Sequence, residues 1–130
     1  MTTRHALVIG ASSGIGAATS LRLAKDGWRV TALARRTPEL SALEEANPLI
    51  TGLTLDVTDR AALRAAVESL PAVDAMVYAA GLNVPEREIE VLSVEDWKAI
   101  FEVNVNGAFH TAQALLPSMR SAGGGLMVFV

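Results

Sequence analysis

The apolar run Ala6-Leu7-Val8-Ile9 leads straight into Gly10-Ala11-Ser12-Ser13-Gly14-Ile15-Gly16, and this junction constrains the fold more than any other part of the chain. Glycines spaced G-x-x-x-G-x-G let a backbone turn sharply, approach a bulky group closely and pack a helix onto its own strand. A side chain obstructs all three tasks. The pattern reads as a strand, a loop and a helix start whose free N–H groups face an anion such as a pyrophosphate. A tight turn ahead of an ordinary helix has the same spacing, so the remaining sequence must decide between the two.

Beyond the loop, strands and helices alternate. Residues 15–25 have helix-forming composition with Ile15, Ala18, Leu21 and Ala24 at helical spacing, and Gly27 stands where a C-terminal cap falls. Residues 29–34 read as a second strand. Thr37-Pro38 then reads as an N-cap with proline at the first helical position, and Leu40 and Leu43 form a short apolar face before Asn47-Pro48. Residues 49–55 read as a third strand. The stretch 59–70 carries Leu63, Val67 and Leu70 on one stripe, with Thr58 as its expected cap. Residues 74–79 are a nearly all-apolar fourth strand. A polar loop over 81–92 precedes Ser93-x-x-Asp96, which resembles a capping box opening a long helical region to about Ser121, with Pro117 expected to kink its end. Gly123-Gly124-Gly125 breaks the pattern, and residues 126–130 read as a fifth strand.

Strands that are apolar on both faces and alternate with helices imply an α/β fold with a parallel sheet covered on both sides. Right-handed crossovers give the order 3-2-1-4-5 of a doubly wound, Rossmann-type dinucleotide-binding sheet, with its crevice at the carboxyl ends of strands 1 and 4. The whole chain is expected to form a single such domain over residues 1–130.

Bulk properties exclude several functions. With 51% hydrophobic and 19% charged residues, the 130-residue chain is suited to burying a core rather than to disorder. Its net charge of −3 comes from scattered residues, so it lacks the basic stripe of a nucleic-acid binder. The absence of cysteine removes disulfides, thiolate catalysis and cysteine-ligated metal sites, and suits a reducing compartment. No apolar stretch approaches membrane-spanning length. A soluble cytoplasmic protein with no metal, nucleic-acid or membrane partner is the expectation.

The strand ends carry the candidate chemistry. Ser12 and Ser13 offer hydroxyls to phosphate or ribose oxygens, or sit idle as surface loop residues. At the end of the second strand, Arg35 lies 21 residues after Gly14 with no carboxylate beside it. An acidic residue there would bond the ribose 2′-hydroxyl of NAD, whereas a guanidinium suits the 2′-phosphate of NADP. The pattern therefore favours NADP(H), with NAD(H) as the weaker option; the alternative is that Arg35-Arg36 is a solvated pair ahead of a helix. Asp56 and Val57 close the third strand where a carboxylate can accept from an adenine amino group or help to cap the next helix. Ala79, Ala80 and Gly81 end the fourth strand with the small residues a ligand-touching backbone needs, or with an ordinary strand exit.

Gly10-x-x-x-Gly14-x-Gly16, Asp56-Val57, Ala79-Ala80-Gly81 and Val103-Asn104-Val105-Asn106-Gly107 occur in the order and spacing of one family, and the chain resembles a classical short-chain dehydrogenase/reductase. The resemblance covers all 130 residues. It implies hydride transfer between NAD(P)(H) and a carbonyl or alcohol, an Asn, Ser and Tyr-x-x-x-Lys catalytic set, and a homodimer or homotetramer for which the long helical region is a candidate interface. Asn104 matches the family's asparagine, which disturbs the long helix and helps to hold a water linked to the catalytic lysine; taken by itself it reads as a polar residue satisfying local backbone.

Two local departures stand out: Tyr78-Ala79-Ala80-Gly81 replaces the family's usual Asn-Asn-Ala-Gly, and Ile9 replaces the threonine that often precedes the first glycine. A third is larger. Tyr78 is the only tyrosine, and Leu82 rather than lysine stands four residues on. His5 and His110 read as structural. The family's serine and Tyr-x-x-x-Lys fall beyond the fifth strand, inside which this sequence stops at Val130. The expectation is a partial sequence that holds cofactor but does not turn over alone, with a non-catalytic NADP(H)-binding module as the alternative.

Overall fold

A computed structural model describes residues 3–130. Five strands, β1 (His5–Ile9), β2 (Arg29–Ala34), β3 (Ile50–Thr54), β4 (Ala75–Tyr78) and β5 (Leu126–Phe129), form one parallel sheet in the order β3-β2-β1-β4-β5. The doubly wound order read from the sequence is thus the order observed. Val8 of the central strand lies between Ala32 of β2 and Val77 of β4.

The alternation of β1 feeds two cores. Leu7 and Ile9 point to one face, where they meet Leu63 and Val67 of α3 (Arg60–Ser69) and Leu115 and Met119 of α5 (Gly107–Ser121). Val8 points to the other, against Ala24 of α1 (Gly14–Lys25) and Leu40 and Leu43 of α2 (Thr37–Ala46). β1 is buried along its whole length because both faces are covered.

The buried face of α1 differs from the expected one. Gly16, Ser20 and Ala24 face the sheet, whereas Ile15 and Leu21 are exposed. Apolar periodicity is misleading here because the loop brings the helix so close to β1 that only small residues fit between them; the Ser20 hydroxyl is satisfied by donating to the Gly16 carbonyl at 2.9 Å. Gly27 does end α1: with φ +90° it donates to Ala24, while Trp28 donates to Leu23, the paired bonds of a Schellman cap.

Two N-caps shift by one residue. Arg36, not Thr37, precedes α2, and Asp59, not Thr58, caps α3 by accepting from the Ala62 amide at 3.1 Å. Thr58 is diverted to Asp56, to which it donates both its amide and its hydroxyl. Ser93 opens the next helix as expected, accepting from Asp96 at 3.0 Å.

The single long helix expected over 93–121 is two helices, α4 (Val94–Phe101) and α5, joined by a π segment (Glu102–Asn106). Within it the Gly107 amide donates to Glu102, five residues back rather than four. Pro117 is accommodated inside α5.

Candidate functional site

The carboxyl ends of β1, β2, β3 and β4 surround a cleft of about 470 Å³, within the usual range for small-molecule sites. It opens where β2 and β4 leave β1 in opposite directions, the switch point at which a doubly wound sheet has no crossover to fill the crevice. Of the candidates from the sequence, Gly10, Ser12, Ser13, Gly14, Ile15, Arg35, Asp56, Val57, Ala79, Ala80 and Gly81 all line it. Gly16 and Asn104 do not.

The three loop glycines do different work. Gly10 has φ +83°, and a Cβ there would fall 2.5 Å from the Ala80 Cα, so β1 and the exit of β4 touch backbone to backbone. A Cβ on Gly16 would lie 2.7 Å from the Gly10 carbonyl carbon; its absence is what lets α1 seat on the loop. Gly14, at φ +54°, lines the cleft, and a Cβ on it would meet nothing within 4 Å. Gly10 and Ala11 both donate to the Leu33 carbonyl, which fixes the turn against β2. Ser13 is the N-cap residue of α1 but makes no side-chain cap bond, and the first turn carries no acidic residue. The positive end of this helix is therefore uncompensated where it meets the cleft.

At the end of β2, Arg35 and Arg36 are both exposed on the cleft rim. Arg36, one residue beyond the position that the spacing from Gly14 singles out, reaches across to the glycine loop and donates to Ser12 Oγ from Nη2 at 2.9 Å and Nε at 3.2 Å. A second contact, 3.9 Å to Glu39, steadies it from α2. The signal that could have found it was the doubled arginine itself, since adjacent residues leaving a strand splay to opposite sides.

Asp56 accepts the Thr58 amide at 2.9 Å and the Thr58 hydroxyl at 2.8 Å, both on Oδ1. The Thr58 amide bond is the main reason its carboxyl is held below the usual range, and the nearby Arg35 charge acts in the same direction. The bonds leave Oδ2 free while the carboxylate is fixed at the rim. The cap of α3 belongs to Asp59, so Asp56 does not cap the helix; its carboxylate is held by Thr58 and remains available at the rim.

Asn104 lies in the π segment. Its Oδ1 accepts from the Leu82 amide at 2.7 Å and its Nδ2 donates to the Leu82 carbonyl at 3.0 Å. The side chain thus ties the helix interruption to the strand exit at Leu82, which lines the cleft together with Val103. Tyr78 is 2% exposed and donates its hydroxyl to the Val103 carbonyl. Burial pushes its phenol up to about 12, so it is a structural tyrosine and not the reactive phenol of a Tyr-x-x-x-Lys pair. Among the described residues no cluster of His, Asp or Glu can hold a metal, and no helix is long and apolar enough to cross a membrane.

A parallel sheet in the order 3-2-1-4-5, with a glycine loop at its switch point, an unopposed helix N-terminus and paired arginines at the rim, defines a Rossmann-type nucleotide-binding fold. Comparison with known proteins specifies the family. Residues 4–130 match the short chain dehydrogenase family, and the chain belongs to it. Over 118 residues the chain is 33% identical to serine 3-dehydrogenase of Rhizobium radiobacter, which covers 87% of this chain and 47% of the relative. An uncharacterized oxidoreductase of Mycobacterium tuberculosis is 41% identical over 128 residues, covering 98% of this chain and 50% of the relative. Among solved structures, the closed form of a serine dehydrogenase complexed with NADP+ superposes with a TM-score of 0.88 at 31% identity, covering 95% of this chain and 52% of that one. The chain thus spans about half the length of these relatives.

Proposed function

We propose that this chain is the cofactor-binding half of an NADP(H)-dependent oxidoreductase that moves hydride between the nicotinamide and a carbonyl or alcohol carbon of a small molecule. The observation that carries the cofactor preference is the pairing of Arg36 with Ser12 beside Arg35, with no carboxylate at the end of β2 to claim a 2′-hydroxyl. Two guanidiniums at that rim meet a 2′-phosphate with charge-assisted bonds and leave an unphosphorylated ribose with less to hold it. NAD(H) is the weaker ligand on this reading.

The cleft fits the rest of the cofactor. Gly14 leaves the space that a side chain would fill, and with Gly10, Ile15 and Gly16 it presents the α1 N-terminus to the pyrophosphate. Ser13 offers a hydroxyl that is not engaged in capping. Asp56, through its free Oδ2, accepts from the adenine amino group while Val57 covers the ring. Ala79, Ala80 and Gly81 pass close beneath the adjoining ribose. The bound nicotinamide supplies or accepts the hydride. Asn104 holds the Leu82 lip and joins the proton relay from the helix interruption. With Tyr78 buried, the group that gives the carbonyl oxygen its proton is supplied from outside the described residues, and turnover belongs to the whole protein.

The helical region from α4 to α5 exposes Trp97, Phe101, Val105 and Phe109 at spacings of four residues, with the Trp97 and Phe101 rings 4.7 Å apart. This stripe is the surface on which a homo-oligomer would assemble.

The test is a titration with NADPH and NADH of the wild type and of Arg35→Ala and Arg36→Ala. Wild type is expected to prefer NADPH, each variant to lose at least about ten-fold of that preference, and the double variant to bind the two alike. An unchanged ratio in both single variants would overturn the assignment of the 2′-phosphate site.

A further inference from the structure

We propose that Tyr78 is a positioning residue: its hydroxyl holds the Val103 carbonyl, fixes the π segment, and thereby aims the Asn104 amide at Leu82 on the lip of the cleft. Its consequence for cofactor rests on the reading given above, whereas the positioning itself rests on geometry alone.

The local hydrogen bonds form a closed circuit. In a continuous α-helix the Gly107 amide would donate to Val103. Here it donates to Glu102, one residue further back, and Val103 takes the Tyr78 hydroxyl in its place. The carbonyl released by the π turn is therefore met by a side chain from the end of the neighbouring strand β4. The next residue, Asn104, makes both of its amide bonds to Leu82, four residues beyond Tyr78 on the same outgoing strand. Strand exit and helix interruption are thus clamped at two points: Tyr78 onto Val103, and Asn104 onto Leu82.

Gly107 shows that the hydroxyl itself, and not only the ring, is built into this arrangement. A Cβ on Gly107 would overlap the Tyr78 hydroxyl and would lie 3.3 Å from the ring carbon bearing it. The glycine thus makes room for one oxygen atom. The Tyr78 side chain is buried and its hydroxyl has Val103 as its hydrogen-bond partner, so the desolvation of the phenol is offset at that carbonyl. Tyrosine stands here where the family usually has asparagine, so a phenol hydroxyl at this point is a departure particular to this chain.

Amide hydrogen exchange on the nucleotide-free protein tests the proposal, comparing wild type with Tyr78→Phe. Phenylalanine keeps the ring volume and removes only the oxygen. Leu82 is expected to exchange at least about ten-fold faster in the variant, while Ala79, whose amide donates to Ile9 of the sheet at 2.8 Å, keeps its protection. Asn104→Ala should free Leu82 to the same extent, and the double variant should add nothing further. A ring that merely fills space would leave Leu82 protected in Tyr78→Phe, and that result overturns the proposal. If Tyr78→Phe does not fold, Gly107→Ala replaces it, because its Cβ displaces the same hydroxyl; retained Leu82 protection there overturns the proposal equally. NADPH titration of the same proteins separates the two ideas. Failure of the wild type to bind refutes the reading of the cleft and leaves the exchange result to decide the positioning.

Discussion

Gly14 and Gly16 stand two residues apart in one motif, yet their replacement by alanine should fail in different ways. At Gly14 an alanine must adopt φ +54° but meets nothing within 4 Å; the left-handed conformation alone costs roughly 1–2 kcal/mol. At Gly16 the Cβ would sit 2.7 Å from the Gly10 carbonyl carbon, well inside ordinary contact, and the obstacle is backbone that no rotamer change can move. Overpacking typically costs about 1–3 kcal/mol, and with rigid backbone as the obstacle the upper end of that range is expected. Gly16→Ala should therefore melt below Gly14→Ala. Binding should invert the ranking, since Gly14 lines the cleft and a side chain there adds bulk beside the proposed pyrophosphate. At NADPH one hundred times the wild-type Kd, ligand stabilises the fold by about 2.7 kcal/mol. A ten-fold loss of affinity leaves about 1.4 kcal/mol of it, so the NADPH-induced rise in Tm of Gly14→Ala should be about half that of wild type. The assay is a thermal melt with and without NADPH. A Gly14→Ala protein with the full NADPH shift would refute the placement of pyrophosphate over Gly14. A Gly16→Ala protein as stable as Gly14→Ala would refute the packing argument.

Three further outcomes are expected. Asp59→Ala removes the acceptor for the Ala62 amide at the start of α3 and should lower stability in a denaturant titration by about 1 kcal/mol. The only tyrosine of the chain has a folded-state pKa of about 12 against an ordinary 10; the neutral phenol favours the fold, so its contribution is complete below about pH 10 and is lost as pH rises toward 12. Tyrosinate absorbance followed against pH, beside the unfolding midpoint, checks both the value and the sign. Gly107→Ala should destabilise the wild-type background by about 1–3 kcal/mol and the Tyr78→Phe background by less, because the overlapping oxygen is gone; equal costs in a double-mutant cycle would contradict the contact.

The fold was legible because its signals are redundant. Apolar strands, glycine punctuation at Gly27 and Gly123, and helix stripes such as Leu63 and Val67 each point to the same α/β alternation. The rim residues were legible for the same reason, since a doubly wound topology puts every strand's carboxyl end beside one crevice. What sequence could not display were contacts between distant segments. The buried face of α1 is set by how closely the Gly10–Gly16 contact draws the helix to β1, and hydrophobic periodicity is blind to that distance. Arg36 depends on Ser12, 24 residues away, lying within reach. The π segment has no composition of its own: by periodicity Glu102 to Asn106 read as helix, and only the family resemblance at Asn104 marks a disturbance there, while the contacts of Tyr78 and Asn104 show how the ladder slips.

The two ends of the cleft are held by different kinds of force, and this separates what substitution there can change. Arg35 and Arg36 are exposed, and Arg36 is held by hydrogen bonds to one serine and a weak contact to Glu39. Interactions of that kind contribute little to folding, so the rim can exchange one charge pattern for another with small effect on stability while altering which ribose is preferred. The Leu82 lip depends on a buried hydroxyl, a glycine cut to fit it and a helix turn whose hydrogen bonds are shifted by one residue. Removing the Tyr78 hydroxyl there breaks a part-buried bond and the fit of Gly107 around it, which costs more than losing an exposed bond. Selectivity for the adenosine end is therefore the adjustable property of this chain, and the geometry beside Asn104 the fixed one. Variants of Arg36 should alter ligand preference at nearly constant Tm, whereas variants of Tyr78 should alter Tm and Leu82 exchange together.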